Sequence, residues 1–334
     1  MPYALSYLDK SPLHGDETAH AALSRTIYLA KRAEELGYTR FWVAEHHNAA
    51  KLASSSPEVL ISYLLAQTRT IRIGSGGVML QHYSAYKVAE NFNLLSSLAP
   101  GRVDIGIGKA PGGMPLSTNA LQGAHDPARK PSFEAQLTEL DGFLRHHHDG
   151  SAADANLAAF PDPKGAADKF LLGASAESAK LAARLGWAFV YPGHIHGDEA
   201  AIAHALSTYR DAGGRQSILA LNVVVAETDE QARRLEADAR RFRVEIDNGQ
   251  AVNVGSEAQA LEYVRQTGAT THRIEERKSL LLRGAPSTIE GELERLHRKL
   301  GVLEFILESP LSDGARRLET IELLAPAARR SLAA

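Results

Sequence analysis

Eight residues, Phe41-Trp42-Val43-Ala44-Glu45-His46-His47-Asn48, place an apolar run directly before a carboxylate and two imidazoles. Imidazole is the side chain most easily tuned to move protons near neutral pH. Parallel α/β folds keep their chemistry at the C-terminal ends of strands, which is where Glu45, His46 and His47 would lie. The same residues also read as an ordinary polar strand end. They lack the i, i+4 histidine spacing of HExxH zinc enzymes. His146-His147-His148 cannot converge on one metal from a regular element, and interaction with a helix C-terminus accounts for them more simply. No metal is expected.

Three other segments carry residues suited to holding a ligand. Gly74-Ser75-Gly76-Gly77 ends a strand, where Gly76 and Gly77 would let a flat molecule approach the backbone, or simply turn the chain. Gly106-Ile107-Gly108-Lys109-Ala110-Pro111-Gly112-Gly113 superficially suggests a dinucleotide fingerprint, but its third glycine is misplaced and Pro111 sits where a helix should begin. It is not a P-loop either, since Ala110 follows Lys109. What remains is a cation at a strand end, suited to phosphate, or a surface lysine beside a turn. In Leu172-Gly173-Ala174-Ser175-Ala176-Glu177-Ser178, free N–H groups and two hydroxyls at a helix start suit an anion. Ser175 is also a plain N-cap there.

The elements that must position these groups alternate. Strands are expected at 4–8, 40–44, 71–75, 103–108, 169–173, 187–190, 218–226 and 303–307. Helices are expected at 19–36, 57–68, 85–98, 132–146, 178–185, 199–212, 229–244 and 314–328. Eight strand–helix units in a chain of 334 residues favour a closed (β/α)8 barrel over an open doubly wound sheet. Two stretches break the rhythm. Residues 147–168 read as a loop, and 245–286 as a polar segment with one helical piece near 256–265.

Composition sets further bounds. Apolar content of 44% and charged content of 23% are ordinary for a soluble globular protein. A net charge of -3 gives no reason to propose nucleic acid or anionic lipid as a partner. No apolar run approaches the roughly 20 residues needed to span a bilayer, and the N-terminal residues do not read as a signal peptide. With no cysteine, disulfides, thiolate nucleophiles, iron–sulfur clusters and zinc-thiolate sites are excluded, and a cytoplasmic location is expected. Redox chemistry would then need a bound organic cofactor, or a metal held by His and carboxylates.

The ordered set of segments resembles the bacterial luciferase-like, flavin-dependent monooxygenase family. The matching pieces are Trp42 to His47, Ile71 to Leu80, Lys87-Val88-Ala89-Glu90, Pro100 to Gly108, Leu171 to Ser175 and Gly284-Ala285-Pro286. They cover most of the chain. The resemblance implies a single luciferase-like (β/α)8 TIM barrel with insertion loops, binding FMN at the C-terminal ends of its strands. His46 matches the family's proton-transferring histidine, and Glu45 lies beside it. Gly76-Gly77 falls where some relatives carry a non-proline cis peptide under the flavin ring. Ala174, Ser175 and Ser178 match the phosphate-binding turn. Lys109 stands where many relatives have arginine, so charge is kept and the bidentate fork is lost. The segment 245–286 matches a mobile lid, and a homodimer would place Glu90 near its interface. The implied reaction uses reduced FMN, from a separate NAD(P)H-dependent flavin reductase, and O2 to oxygenate a small organic substrate. A deazaflavin F420-dependent oxidoreductase and a non-catalytic flavin-binding protein are the alternatives on the same barrel.

Overall fold

Short apolar runs, each followed by a helical stretch, build one closed barrel in a computed structural model that describes residues 2–123, 130–149, 157–236, 239–247 and 249–326. The side chains of 146–149, including the three consecutive histidines, lie outside the described residues. β1 (Ala4–Asp9) leads through α1 (Ala19–Glu35) to β2 (Arg40–Val43), α2 (Pro57–Gln67) and β3 (Arg72–Ser75). The two-residue β4 (Val78–Met79) precedes α3 (Ala85–Leu98) and β5 (Val103–Gly108). Then come α4 (Pro115–Gln122), α5 (Phe133–Asp149), β6 (Asp168–Leu172), α6 (Ala176–Leu185), β7 (Ala188–Pro192), α7 (Glu199–Asp211) and β8 (Ser217–Val225). An insertion carries α8 (Asp229–Arg234), β9 (Arg241–Ile246), β10 (Ala251–Val254), α9 (Glu257–Thr267), β11 (His272–Arg277) and β12 (Leu281–Gly284). The last elements are α10 (Pro286–Leu300), β13 (Glu304–Glu308) and α11 (Gly314–Leu323).

Strands β1, β2, β3, β5, β6, β7, β8 and β13 pair in parallel in that order, and β13 returns to β1 to close the ring. These are the eight strands expected from the sequence. The caps are local and readable. Thr18 caps α1, Ser175 caps α6, and Gly186 ends α6 in the left-handed conformation that glycine adopts most cheaply.

Side chains alternate across each strand, so every second residue faces the barrel interior. At the N-terminal end that interior is ionic. Arg40 Nε donates to Glu304 at 2.7 Å, Arg40 Nη1 to Asp104 at 2.9 Å, and Trp42 Nε1 to Asp104 at 2.9 Å. The middle layer is apolar, made of Leu8, Trp42, Phe170, Val190, Ile218, Ala220 and Ile306. Trp42 and Phe170 meet edge to face at 4.9 Å. Leu8 and Trp42 fill volume that Gly76 leaves open: a Cβ on Gly76 would come within 2.9 Å of Leu8 Cδ1 and 3.1 Å of Trp42 Cε3. A larger apolar cluster lies outside the ring, between strands and helices, and holds Tyr7, Phe41, Val43, Phe92 and Phe305.

The insertion corrects two sequence expectations. Residues 229–244 do not form one helix: α8 stops at Arg234, and Arg241–Ile246 is a strand. Phe242, Val244 and Ile246 are buried while Arg241, Arg243 and Glu245 are half-buried, a period of two that no helix can satisfy. Residues 245–286 are not a polar loop with one helix. β10 and β11 flank β9 in an antiparallel sheet, and α9 packs on its apolar face through Ala260 and Tyr263. The helix of the seventh barrel unit is therefore α10, which buries Ile289, Leu293, Leu296 and Leu300.

Candidate active site

Continuing the interior alternation past each strand's apolar layer brings Lys10, His46, His194, Asn222 and Glu308 to the C-terminal mouth. Lys10 follows β1, His46 follows β2, His194 follows β7, Asn222 lies in the C-terminal half of β8, and Glu308 ends β13. Lys10 Nζ lies 2.5 Å from Glu308 Oε1, and His194 Nε2 lies 3.8 Å from Glu308 Oε2. The His46 and His194 Nδ1 atoms, Asn222 Oδ1 and Glu308 Oε2 are buried without a hydrogen-bond partner. Native interiors rarely leave such atoms unmatched, so their concentration at one barrel end marks a place built to meet a ligand.

Electrostatics follow from the burial. Burial pushes the His46 imidazole down to about 3, with Lys10 acting in the same direction, and His194 is also pushed down to about 3 by burial. Both are neutral at working pH, each with one N–H to donate and one lone pair to accept. Burial alone would raise Glu308, yet the Lys10 ammonium beside it holds its carboxyl down at about 2. Burial lowers Lys10 despite Glu308 beside it.

Glu45 is fully buried and committed to three hydrogen bonds. It accepts from Tyr83 Oη at 2.8 Å, from His47 Nε2 at 2.7 Å and from the Met79 backbone N–H at 3.0 Å. Together with the Gly76 N–H donated to Val43 O at 2.8 Å, these bonds fix the end of β2 against the segment after β3. His47 also donates its backbone N–H to Gly112 O at 2.8 Å. Its ring therefore supports this segment, a role the sequence alone leaves blank.

The Gly76-Gly77 peptide is cis. Gly77 is pressed onto β5, where an added Cβ would lie 2.7 Å from Gly106 O. Lys109 is exposed, and among the described residues its ammonium has no hydrogen-bond partner. Gly108 sits opposite Leu172, so Lys109 and the Gly173–Ser175 turn leave neighbouring strands side by side. In that turn Ala174 is half-buried, and Ser175 Oγ accepts from the Ser178 N–H at 3.2 Å and lies 3.3 Å from Ser178 Oγ. N-capping is thus realised, and the exposed Ser175 hydroxyl keeps an accessible face. The fold brings His46, Gly76, Gly77, Lys109, Ala174, Ser175 and Ser178 onto one barrel end, while Glu45 supports them from behind.

No sequence motif marks Lys10, His194, Asn222 or Glu308. Their signal is positional: each lies two residues beyond an inward apolar residue, namely Leu8, Pro192, Ala220 and Ile306. Two clefts on the outer surface, beside Gln231 and Arg316 and beside Gly213 and Gln216, contain none of these groups. Among the described residues, no group of three or more His, Asp and Glu side chains is placed to hold a metal ion.

Residues 4–302 match the family model described as luciferase-like monooxygenase. The chain belongs to that family. The chain is 42% identical over 328 residues to the N-acetyl-S-alkylcysteine monooxygenase of Bacillus subtilis (strain 168), covering 97% of each. Among solved structures, apo-MsnO8 superposes with a TM-score of 0.75 at 29% identity, covering 97% of each chain. The oxygenating constituent of 3,6-diketocamphane monooxygenase from Pseudomonas putida, solved with FMN, superposes at 0.69 with 18% identity, covering 98% of this chain and 97% of that one, and shares the fold. As a luciferase-like monooxygenase the protein is an oxidoreductase that incorporates oxygen from O2.

Proposed function

We propose that this luciferase-like monooxygenase uses reduced FMN, delivered by a separate NAD(P)H-dependent reductase, to oxygenate a small organic thioether. The ring of unpartnered polar atoms around His46, beside a glycine rim, is the observation that carries this reading. The residues fit a planar, phosphate-bearing cofactor. Gly76 and Gly77 leave a side-chain-free floor, while Lys109 and Ser175 offer a cation and a hydroxyl on adjacent strands. When bound, reduced flavin supplies the electrons that activate O2.

The chain's own residues bind, orient and move protons. His46 stays neutral, so it can accept a proton at one ring nitrogen while giving one from the other. Glu45 holds the segment carrying His46 in place through its bonds to Tyr83, His47 and Met79. Lys109, the Ala174 backbone, Ser175 and Ser178 grip phosphate, and a lysine there favours a flavin that arrives and leaves. The three-stranded insertion sheet serves as a lid that keeps water from the mouth. A thioether is the first substrate class to test because the B. subtilis relative is an N-acetyl-S-alkylcysteine monooxygenase.

A homodimer through α2 and α3 is supported by Val59, Tyr63, Leu94 and Leu98, which stand 51–70% exposed on those helices, with Glu90 on α3 beside them. Among the described residues no helix is long and apolar enough to cross a membrane, and the cytoplasm is the proposed site of action. Anaerobic titration of the protein with reduced FMN and with reduced F420 tests the cofactor. Tight binding of reduced FMN, weakened by Lys109→Ala, is expected. Preference for F420, or indifference to Lys109→Ala, would overturn the FMN assignment.

A further inference from the structure

We propose that the barrel mouth contains a carboxylate-binding subsite, with Arg241 of the insertion as its anchoring cation, so that the substrate is an organic monoanion. Backbone contacts bring the insertion to the mouth. Leu280 N–H donates to Gly193 O at 2.8 Å, Gly197 N–H donates to Lys278 O at 2.9 Å, and Arg241 pairs with Arg277 at the end of the insertion sheet. Ser279 Oγ donates to Ala239 O at 2.6 Å, fixing the chain just before Arg241. Asn253 of β10 reaches His196, two residues beyond His194. The sheet thus buries its apolar face under α9 and presents its polar face to the loop that carries His194.

Charge counting identifies the ligand. Lys10 and Glu308 form a close pair that sums to zero wherever its proton sits. His46 and His194 are neutral. Arg243 is paired with Glu245, and Arg277 shares Glu275 with Arg273, whose side chain is exposed to solvent. Arg241 is half-buried and has no carboxylate partner among the described residues, yet its charge acts on Lys10, His46, His194 and Glu308 together. A guanidinium does not shed its proton, and a partly buried charge without a partner is costly. The unpartnered positive charge of Arg241, acting on a mouth that also holds unpartnered Asn222 Oδ1 and His194 Nδ1, matches an anion that carries hydrogen-bonding groups, such as an N-acylated amino acid.

This inference rests on the monooxygenase reading for its biological meaning, but direct binding tests it separately. The full-length protein is titrated calorimetrically with N-acetyl-S-methylcysteine and with its methyl ester. The acid is expected to bind more tightly than the ester. Arg241→Met should weaken acid binding about ten- to hundredfold, leave ester and reduced-FMN binding unchanged, and be partly rescued by Arg241→Lys. Equal affinity of wild-type protein for acid and ester, equal loss of both in Arg241→Met, or no binding of the acid would overturn the subsite. Tight, Arg241-dependent acid binding without oxygenation would support the subsite and count against the thioether reaction.

Discussion

His194 makes the acid sensitivity of this protein calculable. It is 5% exposed, lies beside Glu308 and Lys10, and is pushed by burial from 6.5 down to about 3. In the unfolded chain the imidazole returns to its ordinary value and takes up a proton below pH 6.5. The native state does not follow until near pH 3. Stability is therefore unaffected by this group above pH 6.5 and falls as pH drops from 6.5 toward 3. At pH 5 the loss attributable to His194 is about 2 kcal/mol. His46 has the same sign and window, so the two together remove about 4 kcal/mol at pH 5, out of a typical total of about 5–15 kcal/mol. His194→Gln removes one of these titrations. Reversible urea unfolding of wild type and variant at pH 7 and pH 5 gives the comparison. The variant should lose about 2 kcal/mol less than wild type between the two pH values. An identical loss in both proteins would refute the burial of a neutral His194.

Three other substitutions test separate parts of the structure. His46→Ala should cut substrate oxygenation by about a hundredfold with reduced-flavin binding retained, and unchanged turnover would remove His46 from the mechanism. Glu304→Gln leaves Arg40, buried inside the barrel, with Asp104 as its remaining carboxylate. Urea unfolding should report a loss of about 3 kcal/mol or more, and a neutral result would contradict the ionic lower layer. Gly106→Ala would bring a Cβ within 2.1 Å of Ser75 O, so a sharp drop in soluble, folded protein is expected, and a wild-type melting curve would count against this contact.

The barrel was legible because its signals are local. Each strand is a short apolar run at a fixed place in a repeated unit, and caps such as Thr18, Ser175 and Gly186 mark the helices that follow. The insertion was less legible. Asp229 to Arg243 is rich in helix-favouring Ala, Glu and Arg, whereas the alternation of Phe242, Val244 and Ile246 becomes decisive only when β10 and β11 supply partners. Helix α10 carries a clear apolar stripe, but it is separated from its strand by the whole insertion, so a unit-by-unit reading passes over it. At the site, the Glu45-His46-His47 run stands out by composition. Lys10, His194 and Glu308 are single polar residues in three distant parts of the chain, and barrel closure alone makes them neighbours.

Oxygenation by reduced FMN at this mouth is tested most directly with isotopically labelled dioxygen. Purified protein is supplied with reduced FMN, labelled O2 and N-acetyl-S-methylcysteine, and the product is examined by mass spectrometry. One labelled oxygen atom per product molecule, lost in His46→Ala, is the predicted result. Oxidation of reduced FMN with no label in the organic product would contradict the account.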